Sequence, residues 1–337
     1  MQKKNPAKRR PERLVVTLLS LLFLSTAVFA TVKYVFRAPE LDTDKPVVTP
    51  DSTASTDADR ADTDESDAPG RTRREYCYNI LVSGLDDDNG GSDTNILVRF
   101  DVPNKRIDLV SLPRDTLLHN DYRNNKLNFA YAKGGTELLM SQIENLLGIP
   151  VDFYVTVNLK GFIALVDQID GVDFDIPINM DYDDPYQDLH IHFTKGPRHL
   201  NGQEAMEVVR FRHNNDGTGY GTEDIGRIGT QQAFLKAVAK QLLQIGNVKN
   251  IPALVDIFYT YVKTDLTTGN LVWLGNEALN IGTENIHFAT LPGDGSGYYN
   301  KQSVYVLDAQ ATCDLVNEAL NPYNEALTLE DMDILVP

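Results

Sequence analysis

A chain of 337 residues that is 42% hydrophobic is long and apolar enough for one large domain or two small ones with a full core. Its formal net charge of −17 argues against a nucleic-acid-binding protein at the level of the whole chain. Two cysteines, Cys77 and Cys313, are too few for a disulfide framework or a cysteine zinc site; in an oxidising compartment a single bridge between them is expected, with two buried thiols as the alternative.

Residues 1–13 (MQKKNPAKRRPER) carry six Lys/Arg against one Glu. The uncharged run Leu14–Val32 follows, and as a helix it would span roughly 28 Å, about the bilayer core. Apolar character resumes at Tyr34-Val35-Phe36, so residues 14–36 are expected to be a retained transmembrane helix. A signal peptide cleaved near Val28-Phe29-Ala30 is the alternative. The basic flank makes residues 1–13 a cytoplasmic tail and the remainder extracytoplasmic, as in a single-pass cell-membrane protein. Residues 37–75 are Asp, Thr, Ser, Pro and Ala with almost nothing to bury. They read as a disordered acidic linker extended by its own charge.

The folded part is expected over 76–337. Three apolar runs read as strands: Ile80–Ser83, Ile96–Phe100 and Ile107–Ser111. An acidic, glycine-rich loop from Asp86 to Asp93 separates the first two, and the turn Asn104-Lys105 joins the second to the third. Neighbouring strands would bring these carboxylates and Arg114 to loops flanking one sheet. That is the chemistry of a metal plus an anion, most plausibly a phosphate ester. An EF-hand is excluded, because a loop counted from Asp86 has Leu97 where a bidentate Glu is required.

Further on, Thr136–Leu147 has a helical apolar stripe, Val151–Val157 a strand pattern, Leu159–Ile169 a helix closed by Asp170-Gly171, and Val172–Ile176 another strand. Alternating strands and helices predict an α/β fold, a mixed central sheet flanked by helices. Residues 180–199 read as a hairpin. His190 and His192 would share a face of it, but no third ligand is evident, so a solvated hairpin is expected. Gly202–Val209 is a short helix leading into Arg210-Phe211-Arg212-His213. Arg210 and Arg212 would face the same way only if the helix unwinds there. After a Gly/Asn loop, Thr222 is placed to cap a helix over Glu223–Leu243, with Asp224, Arg227 and Gln231 on one face. Its other face carries Ala233, Phe234, Ala237, Val238 and Leu242. Helices over Ile251–Tyr261, Thr268–Ile281 and Asp308–Leu320, a strand at Ile286–Leu291 and a turn at Pro292–Gly295 complete the chain.

Arg114, Arg210, Arg212 and Arg227 form a candidate anion clamp, since arginine's planar fork matches phosphate oxygens and keeps its charge. On the residues alone, four arginines paired with the domain's own carboxylates is an equally open reading. The apolar stripes of Thr136–Leu147 and Gln232–Leu243 either line a slot for an apolar tail or are ordinary core.

Five motifs occur in order: SGLD…SDTNILV, SLPRDT, KLNFAYAKGG, VRFRH and DIGRIGTQQ. Over roughly Tyr76–Leu243 (the motif core 76–243, with 244–337 matching more loosely) the chain resembles the LytR-CpsA-Psr family of cell-wall glycopolymer transferases. The resemblance implies a phosphotransferase that moves a teichoic-acid- or capsule-type polymer from a polyprenyl-pyrophosphate carrier to peptidoglycan. It implies that Asp86 and Asp93 hold Mg²⁺ (or Mn²⁺), and that Arg114, Lys126, Arg210, Arg212, Arg227 and Gln231 contact the pyrophosphate, with Asn128 also at the substrate. Asp224 would hold the arginines or assist proton removal from the acceptor hydroxyl. Two positions depart from the family pattern: Gly91 stands where a basic residue is common, and Thr230 where a second arginine is common. A hydrolase releasing the same polymer, or a non-catalytic regulator of the envelope, are the alternatives. About 13 cytoplasmic residues cannot form a helix-turn-helix unit.

Overall fold

The computed structural model describes residues 36–41, 71–85, 90–120, 122–186, 189–220, 223–244 and 257–336. The expected transmembrane helix (apart from Phe36), most of the expected linker, Asp86 and Thr222 lie outside the described residues. Among the described residues no helix is long and apolar enough to cross a membrane.

The three apolar runs form the centre of a six-stranded mixed sheet. They are β1 (Cys77–Leu85), β2 (Ser92–Asp101) and β3 (Arg106–Leu112), paired antiparallel in sequence. Strand β4 (Phe153–Asn158) adds parallel to β1, and β10 (Ile286–Thr290) parallel to β3. The short β9 (Val262–Thr264) closes the β4 edge, giving the order β10-β3-β2-β1-β4-β9. The period of two in these strands sorts their side chains onto two faces. Leu81, Leu97 and Val110 lie side by side in register and pack against α1 (Leu127–Leu147) and α6 (Ala309–Ala319). Tyr78, Phe100 and Ile107 form the opposite row, against Leu274 and Ile281 of α5 (Thr268–Ile281). Both faces are covered by helices, as the alternating pattern predicts.

Helix α1 starts nine residues before the expected Thr136, because LNFAYA, after the extended N-cap Lys126, is itself helical; the chain kinks at Gly134 and at Gly135, where φ is 67°. At the C-terminal end the expected turn at Pro292–Gly295 is instead the start of β11 (Gly293–Tyr299), paired with β12 (Gln302–Leu307). The reversal falls at Asn300-Lys301, both left-handed. Helix α6 begins where expected, with the Asp308 carboxylate accepting from Ala311 N–H. Of the expected helix at 251–261, residues 251–256 lie outside the described residues and 257–261 are helical.

A second lobe grows from the β4 end of the sheet. It comprises α2 (Leu159–Gln168), the β5 (Val172–Ile176)–β8 (Gly196–Leu200) pair, the β6 (Met180–Asp184)–β7 (Leu189–Phe193) hairpin, α3 (Gly202–Arg210) and α4 (Glu223–Gln244). Its core holds Val166, Phe174, Ile191, Val208, Phe211, Phe234 and Val238. Helices α2 and α3 touch through Gly202, where a Cβ would sit 2.2 Å from the Ile163 carbonyl oxygen.

The fold reaches back beyond the expected start at Tyr76. Arg74 pairs with buried Asp101 at 2.7 Å, Arg71 with Asp331 at 2.7 Å, and Arg73 with Asp152. Within the expected linker, Leu41 packs beside the α5 face, and Arg37 and Pro39 offer their carbonyls to Asn270 and Tyr78. The expected Cys77–Cys313 bridge is absent: both thiols are free and buried. Cys77 lies on β1, paired across the sheet with Asp101, and Cys313 lies on α6 among Leu and Val side chains, so the two thiols are buried in different elements.

Candidate active site

A cavity of about 590 Å³ opens where the sheet meets the second lobe. Its walls come from the end of β1 (Gly84, Leu85), the start of β2 (Gly91, Asp93, Thr94), the segment after β3 (Arg114, Asn124) and the first turns of α1 (Asn128, Phe129, Ala132). The second lobe contributes Leu159, Tyr182, Leu189, Val209, Arg210, Arg212, His213, Arg227 and Gln231.

Each polar group is held there for a local reason. Asp93 sits above a buried network in which Ser83 Oγ donates to Asn95 Oδ1 (2.9 Å) and Asn95 Nδ2 to Ser92 Oγ (3.1 Å), tying β1 to β2. Pro113 ends β3, and Thr116 N–H donates back to its carbonyl (3.0 Å), turning Arg114 toward the cavity. Arg114 Nη1 reaches Asp93 Oδ1 at 2.5 Å and Nε reaches Asp115 Oδ1 at 3.5 Å. Helix α3 ends at Arg210, and Phe211 is extended (φ −59°, ψ 132°). Phe211 is therefore buried in the lobe while Arg210 and Arg212, on either side of it, both line the cavity. The unwinding that would align these two arginines is what the structure shows.

Helix α4 supplies the third wall. Gly226 is packed against Tyr220, and a Cβ there would lie 2.2 Å from the Tyr220 Cβ. That contact places Arg227, 8% exposed, in the wall. Gln231 lines the cavity and donates to the Val209 carbonyl (3.1 Å), holding the end of α3. Gln232, on the next face, donates to Ala289 O and Thr290 Oγ1 (2.7 Å each) and pins α4 to β10.

Of the residues singled out from sequence, Asp93, Arg114, Asn128, Arg210, Arg212, Arg227 and Gln231 thus meet in one cavity. Lys126 is not among its lining residues; its ammonium pairs with Asp115 at 3.3 Å, behind Arg114. Asp224 lies one turn before Arg227 on α4. Gly91 lines the cavity without a side chain. Thr230 is buried and donates to the Gly226 carbonyl (3.1 Å), so no cation stands at that position.

The apolar stripes are core. Leu139, Ile143, Leu146 and Leu147 are buried under the sheet, and Phe234 and Val238 in the second lobe, whereas Ala233 is exposed. The apolar wall comes instead from Leu85, Phe129, Ala132, Leu159, Leu189 and Val209, which strand and helix periodicity alone does not single out. Tyr182 and His213 also join the site. His213 Nδ1 bonds the Asn214 carbonyl at 3.0 Å, and its ring meets Tyr182 edge-on at 5.6 Å. The signal for His213 was its place directly after Arg212 in VRFRH.

Comparison with known proteins bears on this arrangement. The model of the LytR_cpsA_psr family matches residues 47–321. The chain belongs to the LytR-CpsA-Psr family. The polyisoprenyl-teichoic acid–peptidoglycan teichoic acid transferase TagV of Bacillus subtilis is 32% identical over 248 residues, covering 70% of this chain and 61% of that protein. The chain thus spans less than two thirds of that relative's length. TagU of Bacillus cereus, of the same named activity, is 32% identical over 244 residues, 71% of this chain and 76% of that protein. The crystal structure of B. subtilis TagV superimposes with a TM-score of 0.62 at 26% identity, covering 78% of this chain and all of that one. The mixed sheet with its covering helices is therefore the LytR-CpsA-Psr fold. TagV and TagU are named as teichoic acid transferases, whereas MsrR of Staphylococcus aureus, 30% identical over 231 residues (66% of this chain and 67% of that protein), is named as a regulatory protein.

Proposed function

We propose that this LytR-CpsA-Psr protein is a membrane-anchored phosphotransferase that moves an anionic glycopolymer, of teichoic-acid or capsule type, from a polyprenyl-pyrophosphate carrier to peptidoglycan outside the cell. The observation that carries the reading is the convergence of Arg114, Arg210, Arg212 and Arg227 on one cavity with an apolar wall. Four fixed positive charges beside Leu85, Phe129, Leu159 and Leu189 suit a ligand with a doubly charged pyrophosphate and a hydrocarbon tail. The names of TagV and TagU support the polymer class.

The arginines would do most of the work. Phosphoryl transfer needs positioning and charge neutralisation more than a covalent partner. Arg210 and Arg212, held in parallel by buried Phe211, can grip neighbouring phosphate oxygens. Arg227, buried, offers its charge where water screens it least. A peptidoglycan hydroxyl oxygen attacks the phosphorus next to the polymer, the bond to the bridging oxygen breaks, and polyprenyl phosphate leaves. Asp224 is assigned the acceptor's proton.

An all-oxygen donor set beside phosphate suits Mg²⁺ (or Mn²⁺), which takes one or two carboxylates and fills its shell with water and phosphate. Asp93 at the cavity wall fits that role, with Asp86, outside the described residues, as the second carboxylate. Bound there, the ion would neutralise charge on the leaving phosphate. Arg114 pairs with Asp93 Oδ1 at 2.5 Å, so metal and phosphate would have to share this carboxylate and guanidinium when the carrier binds.

The test is a mass spectrum of protein extracted from membranes with its lipid still bound. A polyprenyl-pyrophosphate species is expected on the wild type and absent from an Arg210→Ala/Arg212→Ala variant. Lipid-free wild type, or equal lipid on the variant, contradicts the reading.

A further inference from the structure

We propose that the outer face of the β6–β7 hairpin is a zinc site, with Asp183, His190 and His192 as ligands and Asp181 as the carboxylate that orients His192. One ligand atom from each of Asp183, His190 and His192 lies within 4.8 Å of the others. His190 Nδ1 is 2.5 Å from Asp183 Oδ1, and His192 Nε2 is 3.4 Å from the same oxygen. Tetrahedral zinc, with bonds of about 2.0–2.1 Å, needs its ligands roughly 3.3–3.4 Å apart. The set is already at that scale and requires only side-chain rotation on an exposed face, where a fourth position is open to water. Spacing alone reveals two histidines; the third ligand comes from the partner strand, through the Asp183–His190 pairing that spacing does not disclose.

The cross-strand register builds the cluster. Asp181 pairs with His192 and Asp183 with His190, so all four side chains share one face, and Tyr182, Leu189 and Ile191 take the other. His192 Nδ1 lies 2.8 Å from Asp181 Oδ1. That hydrogen bond keeps the ring proton on Nδ1 and turns the Nε2 lone pair toward Asp183. A carboxylate behind a ligating imidazole is the outer-shell arrangement that fixes tautomer and ring orientation at metal sites. Nitrogen-plus-carboxylate donors favour zinc over magnesium or calcium, which prefer oxygen alone.

The backbone beneath is held in place. Asn214 and Asn215 side chains accept from Asp181 N–H (2.7 Å) and Asp183 N–H (2.6 Å), and Asn215 Nδ2 donates to Asp183 O (3.1 Å). These asparagines follow directly on the Arg212-His213 wall of the cavity, and Tyr182 and Leu189 line that cavity from the hairpin's inner face. Zinc would therefore clamp the strand pair that forms one wall of the anion site. The inference stands on the hairpin alone and does not depend on the reaction assigned to the cavity.

The experiment uses the purified full chain, stripped with EDTA and dialysed. Zn²⁺ is added in a calorimetric titration, and Co²⁺ serves as a visible-absorbance probe of tetrahedral coordination. The expected result is one Zn²⁺ per chain at this site, with binding weakened at least ~10-fold in His190→Ala/His192→Ala and about 10-fold in Asp181→Asn, in line with the usual effect of an outer-shell carboxylate. His199→Ala serves as control, because His199 is an exposed histidine paired with a single aspartate, Asp173, at 2.7 Å; it should bind as the wild type does. Asp93→Ala should also keep the zinc, which separates this site from the cavity. Metal-free melting temperatures confirm that each variant folds. No stoichiometric zinc on the wild type, equal binding by the double histidine variant, or an equal loss in His199→Ala overturns the proposal.

Discussion

Replacing Phe211 by alanine separates the scaffold of the anion site from its charges. The ring is fully buried and meets Tyr220 edge-on at 5.6 Å and 72°. Removing a buried phenyl group costs about 3–5 kcal/mol, of which the aromatic pair accounts for roughly 0.5–1.5. Against a total stability on the order of 5–15 kcal/mol, that is a large share. At about 2–4 °C per kcal/mol for a domain of this size, the melting temperature should fall by about 6–20 °C. The segment bearing Arg210 and Arg212 also loses its anchor, so affinity for inorganic pyrophosphate should drop although neither arginine is touched. Arg210→Ala/Arg212→Ala should behave in the opposite way, losing pyrophosphate while staying within roughly 1 kcal/mol of wild-type stability. Scanning calorimetry and pyrophosphate titration read both quantities. A Phe211→Ala protein that melts within about 2 °C of wild type, or binds pyrophosphate equally well, refutes the argument that this ring sets the arginines in parallel.

Other expectations follow from single contacts. Gly226→Ala would place a Cβ 2.2 Å from Tyr220, so the first turn of α4 must shift with Arg227; pyrophosphate affinity should fall, while Gly229→Ala, which meets open space, should preserve it. For Asp331, burial pushes the carboxyl up, but hydrogen bonds from Thr328 N–H (2.7 Å) and Arg71 outweigh it and hold it below 3.8. Its stabilisation is therefore complete above pH 3.8 and lost as pH falls through the lower folded value, so urea unfolding of Asp331→Asn should show a flatter acid limb than wild type. Burial pushes the Cys77 thiol up to about 11, so native protein at pH 8 should leave Cys77 unreactive to a thiol reagent, and unreduced, denatured protein should titrate two thiols; a single disulfide would yield none.

Much of this was legible in the sequence because local pattern and tertiary demand agree. The strands at Ile80, Ile96 and Ile107 are largely continuous apolar runs, as a sheet covered on both faces demands, and they sit where the pattern puts them. The two arginines around Phe211 were readable only conditionally, since they align if the helix unwinds before the Gly/Asn loop, and Phe211 is indeed extended directly after Arg210. The apolar stripes of α1 and α4 were ambiguous, since a core helix and a lipid slot demand the same periodicity; packing assigned both to core. The real apolar wall is assembled from six residues scattered over five elements, and no window of sequence holds that information. Gly293-Asp294-Gly295 reads as a turn by composition, yet pairing with β12 overrides that preference. Arg71 to Arg74 read as linker because their partners, among them Asp101, Asp152 and Asp331, lie far along the chain.

The central claim is that the arginine-lined cavity transfers a polymer from carrier to wall. Purified protein given labelled polyprenyl-pyrophosphate polymer and peptidoglycan tests it most directly. The account predicts polymer attached to peptidoglycan and polyprenyl phosphate released. It also predicts that transfer is abolished in Asp93→Ala and by EDTA, and at least ~10-fold slower in Arg210→Lys, where a point charge replaces the planar fork. Transfer at the wild-type rate by an Arg210→Ala/Arg212→Ala variant, or free polymer as the sole product with acceptor in excess, would contradict it.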